Sequence, residues 1–127
     1  MSGSDTAAAD VEAVRAVALD YIEGWYTGDA ERMERSLHDD LVKRTPVDAD
    51  GAAPSGLRVV SKERMVELTS AGGGGDVADP AIEVHVDAVS GDIACARTVC
   101  ADFVDFLQLA RTPAGWRIAN ILFRMLD

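Results

Sequence analysis

Long apolar runs are missing from this chain. No stretch of about 18 consecutive apolar residues occurs in the sequence, so no segment reads as a membrane-spanning helix. Basic residues are scarce as well. Lys and Arg number 12 against 22 Asp and Glu, a formal net charge of -10. Such a surface repels phosphate backbones and anionic headgroups, which sets nucleic acid and membranes aside as partners. Cysteine is limited to Cys95 and Cys100. They stand an odd number of positions apart in a segment that reads as strand, so they point to opposite faces and are badly placed to pair within it. Neither CxxC nor HxxxH spacing is present, so no metal site is expected, and no other cofactor is implied. The opening MSGSDTAAAD lacks both a basic and an apolar leader region. A cytoplasmic protein with reduced, buried thiols is the expectation.

What is present fits a single globular domain. The 127 residues, 48% of them hydrophobic, can close one core without staples. Residues 1–9 are small and polar and are expected to be flexible, leaving residues 10–127 as the domain. Asp10 has the chemistry of a helix N-cap. Beyond it Val11, Val14, Ala18, Tyr21, Ile22 and Trp25 recur at helical spacing and draw one apolar stripe. Gly24 interrupts that helix, at a position where a second element can approach closely. Gly28 marks its stop and Asp29 the cap of a second, short helix that turns Met33 and Leu37 inward.

The segment from Leu41 to Val47 reads as a strand, followed by a loop over 48–56 and a return strand from Leu57 to Val60. Ser61 is placed to cap a third helix carrying Met65 and Leu68. The glycines from Gly72 to Gly75 read as a mobile tether. The C-terminal half then changes period from helix to strand. Ile82, Val84, Val86 and Ala88 alternate with Glu83, His85 and Asp87. Turns at Ser90-Gly91-Asp92, near Asp102 and at Thr112-Pro113-Ala114-Gly115 separate three further strands. Helices first and a meander after predict an α+β domain with an antiparallel sheet.

Two segments sharpen this expectation. DYIEGWYTGDAERMERSLHDDLVKR, from Asp20 to Arg44, resembles the opening motif of the putative lumazine-binding family of the nuclear transport factor 2-like superfamily. DFLQLARTPAGWRIANILF, from Asp105 to Phe123, resembles its closing motif. The family usually places proline after the motif histidine, whereas Asp39 follows His38 here. The resemblance implies a strongly curved antiparallel sheet rolled into a cone under N-terminal helices, the cystatin-like arrangement. It also implies an internal pocket and a homodimer through the sheet. The superfamily includes ketosteroid isomerases, dehydratases, SnoaL-like cyclases and non-enzymatic binders, so fold alone leaves the activity open.

The candidate site residues are those that can turn into such a pocket. Tyr21 can donate to a ligand carbonyl and Trp25 can stack on a flat ring, or both can fill the core. His38 has the chemistry of an acid or base near neutral pH, and equally that of a helix C-terminal cap. Arg44 shares parity with Val42 and is assigned inward, with Lys43 turned away. Asp105 alternates with the apolar Phe103, Leu107 and Leu109. A carboxylate on such a face has a raised pKa and is the natural proton acceptor, unless Arg97, Arg44 or Arg124 pairs with it. Asn120 has the parity of Trp116 and Ile118, and Phe123 closes the list as a ligand contact. Three functions remain: a cofactor-independent isomerase, dehydratase or cyclase acting on a small ring-containing molecule; a non-catalytic binder of a heterocyclic or apolar ligand; or a dimeric interaction module.

Overall fold

A computed structural model describes residues 3–47 and 56–126. The apolar stripe read from the sequence does form one helix, α1, spanning Gly3–Thr27. Val14, Ala18, Tyr21 and Ile22 are its fully buried face. The helix runs back past Asp10, which is therefore an interior residue and not the N-cap. Its carboxylate instead lies 2.8 Å from Arg111 on the sheet.

α1 stops at Gly28, whose φ of 69° is the left-handed conformation a helix end requires. Asp29 then caps α2 (Ala30–Ser36), its side chain accepting from the Arg32 amide at 3.2 Å. The two helices pack where Gly24 leaves room. A Cβ there would come within 3.2 Å of Arg32 and of the Asp29 and Met33 backbone. Arg32 bridges back to Asp20 and Glu23, and Arg35 to Asp20, which fixes α2 against α1.

Six strands follow or interleave: β1 (Leu37–Val47), β2 (Gly56–Val60), β3 (Glu83–Ser90), β4 (Ile93–Val99), β5 (Phe103–Thr112) and β6 (Gly115–Met125). α3 (Lys62–Ser70) sits between β2 and β3, with Ser61 as its N-cap. The sheet order is β2-β1-β6-β5-β4-β3. The expectation of an antiparallel sheet needs one amendment. β1 runs parallel to β6, while the other neighbouring pairs are antiparallel. The chain crosses from β1 at one side to the β3–β6 meander, and the last strand returns beside the first, so the sheet is mixed.

Register shifts bend this sheet. One lies in β1 between Leu37 and Val42, one in β3 between Val86 and Ala88, and one opposite Gln108 and Leu109 in β5. Such irregularities add curvature and reverse side-chain parity beyond them. The inner face carries Leu41, Ala96, Leu107, Leu109, Ile118 and Ile121, which pack beneath α1 and α2. Arg15 on α1 donates to the Val84 carbonyl at 3.0 Å and ties the roof to the far strand. The loop over 48–56 lies outside the described residues up to Gly56, which opens β2.

The glycine run is tied down, which departs from the mobile tether expected of it. The Gly74 amide donates to the Trp25 carbonyl at 3.0 Å, and Gly73 to Leu68 at 2.9 Å. These bonds join the end of α3 to the end of α1.

Candidate functional site

Tyr21 and Trp25 lie one turn apart on α1 and project toward the sheet. β1 contributes Lys43, β2 Val60, α3 Met65 and Leu68, and β5 and β6 contribute Phe103 and Phe123. Together they line a cavity of about 190 Å³. Arg58, Asp102 and the exposed Met125 rim it. Larger hollows of about 380 and 450 Å³ exist on the outside of the sheet. Those lack converging buried polar groups, so the cavity beneath α1 is the better candidate site.

Three buried polar side chains meet at its inner end. Lys43 Nζ donates to the Tyr21 hydroxyl at 2.9 Å, and it lies 4.5 Å from the centre of the Phe123 ring. Asp105 is 0% exposed, and its Oδ2 accepts from the Thr98 hydroxyl at 2.7 Å. Its Oδ1 has no hydrogen-bond partner. The Tyr21 hydroxyl neighbours this carboxyl without reaching hydrogen-bond geometry. Asp105 does not line the cavity; it stands behind Tyr21, Lys43 and Phe123 and pairs with Phe123 across β5 and β6.

Burial governs the electrostatics. Desolvation raises the pKa of Asp105, against the opposing pull of the Lys43 charge, the Thr98 hydroxyl and Tyr21. Desolvation also lowers the pKa of Lys43, with Asp105 acting in the other direction. Tyr21 is pushed well above its ordinary value by the same cause, then by the Asp105 charge. Each group is thus drawn toward its neutral form. Nearby, Tyr26 stacks on Phe103 and its hydroxyl is bonded to Asp102. Burial pushes the Cys100 thiol up to about 11. Cys95 and Cys100 are both free thiols.

The residues singled out in the sequence fall into two groups. Tyr21, Trp25 and Phe123 line the cavity, and Asp105 lies directly behind it. Arg97 pairs instead with Asp87, and no arginine among the described residues is within ion-pair distance of Asp105. Arg44, Asn120 and His38 do not join the site. Arg44 and Asn120 are exposed on the outer face, where Asn120 donates to Gln108 at 3.1 Å. The inward assignment of Asn120 fails because a bulge in β6 changes the parity, and that of Arg44 because the inner face of β1 is the set Leu41, Lys43 and Thr45 rather than the set that includes Val42. His38 sits in β1 and not at the end of α2, and its Nδ1 accepts from the Asp40 amide at 3.0 Å. Asp39, the residue in the proline position, is bonded to Lys62 at 2.9 Å. Lys43 is the residue that sequence reasoning turned the wrong way. Its signal was the shared parity with Leu41 and Thr45, both buried.

The sequence pattern of the family described as putative lumazine-binding matches residues 9–124. The chain belongs to that family. No curated protein matches the chain. Among solved structures, an NTF-2-like protein of unknown function from Silicibacter pomeroyi DSS-3 superposes with a TM-score of 0.73 at 19% identity, covering 99% of this chain and 100% of that one. A ketosteroid isomerase-like protein from Erwinia carotovora atroseptica gives 0.65 at 19% identity, covering 93% and 97%. An NTF2-like protein with a cystatin-like fold from Novosphingobium aromaticivorans gives 0.63 at 21% identity, covering 99% and 91%. These likenesses show the fold: three helices packed on a six-stranded mixed sheet. Among the described residues, no helix is long and apolar enough to cross a membrane.

Proposed function

We propose that the cavity binds a small, flat, ring-containing molecule by a carbonyl or enolate oxygen directed at Lys43 and Tyr21. The observation that carries this reading is the pair of donors, 2.9 Å apart, at the inner end of an otherwise apolar cavity. Lys43 has three N–H donors, and Tyr21 is its hydrogen-bond partner among the described residues. The remaining N–H groups are available to a ligand oxygen. Trp25, Phe103 and Phe123 supply aromatic surface for a planar ring. The family's description favours the same class, since lumazine is a bicyclic ring with two carbonyl oxygens.

The chemistry open to this arrangement is cofactor-independent proton transfer, of isomerase, dehydratase or cyclase type. Lys43 and Tyr21 would hold the developing oxyanion. Asp105 would act through Tyr21, because no part of it faces the cavity. Without a proton acceptor at the substrate carbon, the same donors make a non-catalytic binder. Calorimetric titration with lumazine and related ring carbonyl compounds tests the site. Tyr21→Phe is expected to weaken binding by about tenfold, the worth of one hydrogen bond, and filling the cavity with Val60→Trp to abolish it. Equal affinity in the filled variant would remove the cavity from consideration. Loss of a ligand C–H signal in heavy water, followed by proton NMR, separates enzyme from binder.

A second reading concerns assembly. Leu57, Val59, Phe106 and Leu122 are about half exposed or more on the outer face of the sheet. Exposed apolar surface of this kind favours a homodimer through the sheet. The free thiols favour a reducing, cytoplasmic setting.

A further inference from the structure

Lys43 is an unusual lysine. It is 6% exposed, yet no carboxylate among the described residues lies within ion-pair distance of it. Its nitrogen rests on the Tyr21 hydroxyl and over the Phe123 ring, and its side chain forms part of the cavity wall. A buried amine in an apolar pocket loses the hydration that stabilises its ammonium form. The chain has one other lysine, Lys62, and its surroundings are opposite. Lys62 Nζ is held by Asp39 at 2.9 Å, the Leu37 carbonyl at 3.0 Å and Glu34 at 3.2 Å. Its pKa is raised by these partners against desolvation, whereas burial lowers that of Lys43.

We infer that Lys43 is a nucleophilic amine that captures an aldehyde or ketone in the cavity as a Schiff base. The inference rests on the reading of the cavity as a carbonyl-binding site. The unprotonated Nζ attacks the carbonyl carbon, a C–N bond forms, and the C=O π pair moves to oxygen. That oxygen takes a proton, from the Tyr21 hydroxyl 2.9 Å from Nζ, to give a carbinolamine. Nitrogen loses one of its protons, and Tyr21 is thereby reprotonated. Protonation of the hydroxyl then expels water and leaves a protonated C=N bond, whose N–H proton returns to the Asp105 carboxylate, so amine and carbonyl yield imine and water with no oxidant or reductant. Asp105, with Oδ1 unpartnered behind Tyr21, is the reservoir for that second proton. The other ionisable and charged groups facing this end of the cavity are Tyr26 on α1, Arg58 on β2, Cys100, and Asp102 before β5.

The two lysines make the test clean. The full-length protein is incubated near neutral pH with benzaldehyde and cyanoborohydride, which reduces an imine to a stable secondary amine. Intact mass and peptide mapping then locate the adduct. The expected result is labelling of Lys43 over Lys62 by about tenfold or more, since each unit of pKa separation is tenfold in free amine. Lys43→Met should lose that adduct, and Lys62→Arg should keep it. Labelling of Lys62 and the N-terminus alone overturns the inference. If Lys43→Met fails to fold, the wild-type ratio and the persistence of the Lys43 adduct in Lys62→Arg still decide the matter. Calorimetric binding of ring carbonyl compounds without any Lys43 adduct leaves the cavity reading standing and removes the Schiff base. Absence of both removes both.

Discussion

Lys43 Nζ and the Tyr21 hydroxyl are 2.9 Å apart, and this contact joins the first strand to the first helix inside the core. The lysine donates, so the hydroxyl proton is free to point elsewhere, and the neighbouring acceptor is Asp105. Lysine, tyrosine and aspartate therefore form a short polar row in an apolar setting, with Thr98 at its far end.

Removing the middle member tests the row. Tyr21→Phe takes away the acceptor of a buried amine, and an orphaned buried polar group costs about 1–3 kcal/mol. The double variant Tyr21→Phe/Lys43→Met should recover much of that loss, because no polar group is then stranded. Urea unfolding of the single and double variants gives the coupling energy. Strictly additive effects would mean that the two side chains do not depend on each other.

Asp105 should give the protein an unusual pH response. Its pKa is raised in the folded state, so the native protein holds the proton more tightly than the unfolded chain. The stability it lends is complete below the ordinary carboxylate pKa and declines as pH rises toward the folded value. Lys43 acts in a higher window. Its folded pKa lies below 10.5, and the cost of its buried charge is relieved as pH rises through the folded value. Asp105→Asn keeps the shape and the Thr98 contact without the titration. The stability advantage of wild type over this variant should shrink as pH rises above about 4. Urea midpoints at stepped pH give the difference, and a difference that does not move with pH contradicts the assignment.

The elements were legible because their signals are local. Capping by Asp29 and Ser61, the left-handed stop at Gly28 and the turn at Ser90-Gly91-Asp92 each need only a few neighbouring residues. Asp105 was legible for the same reason, as a charge in an alternating apolar run. Strand parity is different, since one bulge reverses every residue beyond it. Trp116 and Ile118 face the core, but past the bulge opposite Gln108 and Leu109 it is Ile121 that is buried and Asn120 that is exposed. In β1 two adjacent apolar residues, Leu41 and Val42, left the parity open, and taking Val42 and Arg44 as the inward set settled it the wrong way. The parallel pairing of β1 with β6 joins residues far apart in the chain, Leu37 with Ile118 and Arg44 with Leu122, and no local pattern encodes that.

The glycine run offers a test of packing. A Cβ on Gly73 would lie 2.2 Å from the Trp25 carbonyl oxygen, and Gly73 has a φ of 52°. Gly91 has a similar φ of 56° but nothing within 4 Å. Gly91→Ala should therefore cost only the backbone strain, about 1 kcal/mol. Gly73→Ala adds a clash with backbone at the cavity roof and should cost about 2 kcal/mol more. It should also disturb Trp25, whose fluorescence reports on the site. Equal melting points for the two variants would show that the run does not clamp α1 to α3.

The outer face of the sheet yields the last expectation. Arg44, Leu122, Phe106 and Arg97 are successive partners across β1, β6, β5 and β4. Phe106 is 57% exposed at the centre of that row. In a homodimer through this face, Phe106 would be buried against the second copy, and Phe106→Asp would strand a charge there. Sedimentation at micromolar concentration should then show a dimer for wild type and a monomer for Phe106→Asp. The substituted position faces away from the cavity, so the monomeric variant should still bind ring carbonyl compounds. A wild-type monomer would exclude the sheet-to-sheet dimer and leave the apolar row without that partner. Loss of ligand binding in a folded Phe106→Asp monomer would instead show that the cavity depends on assembly.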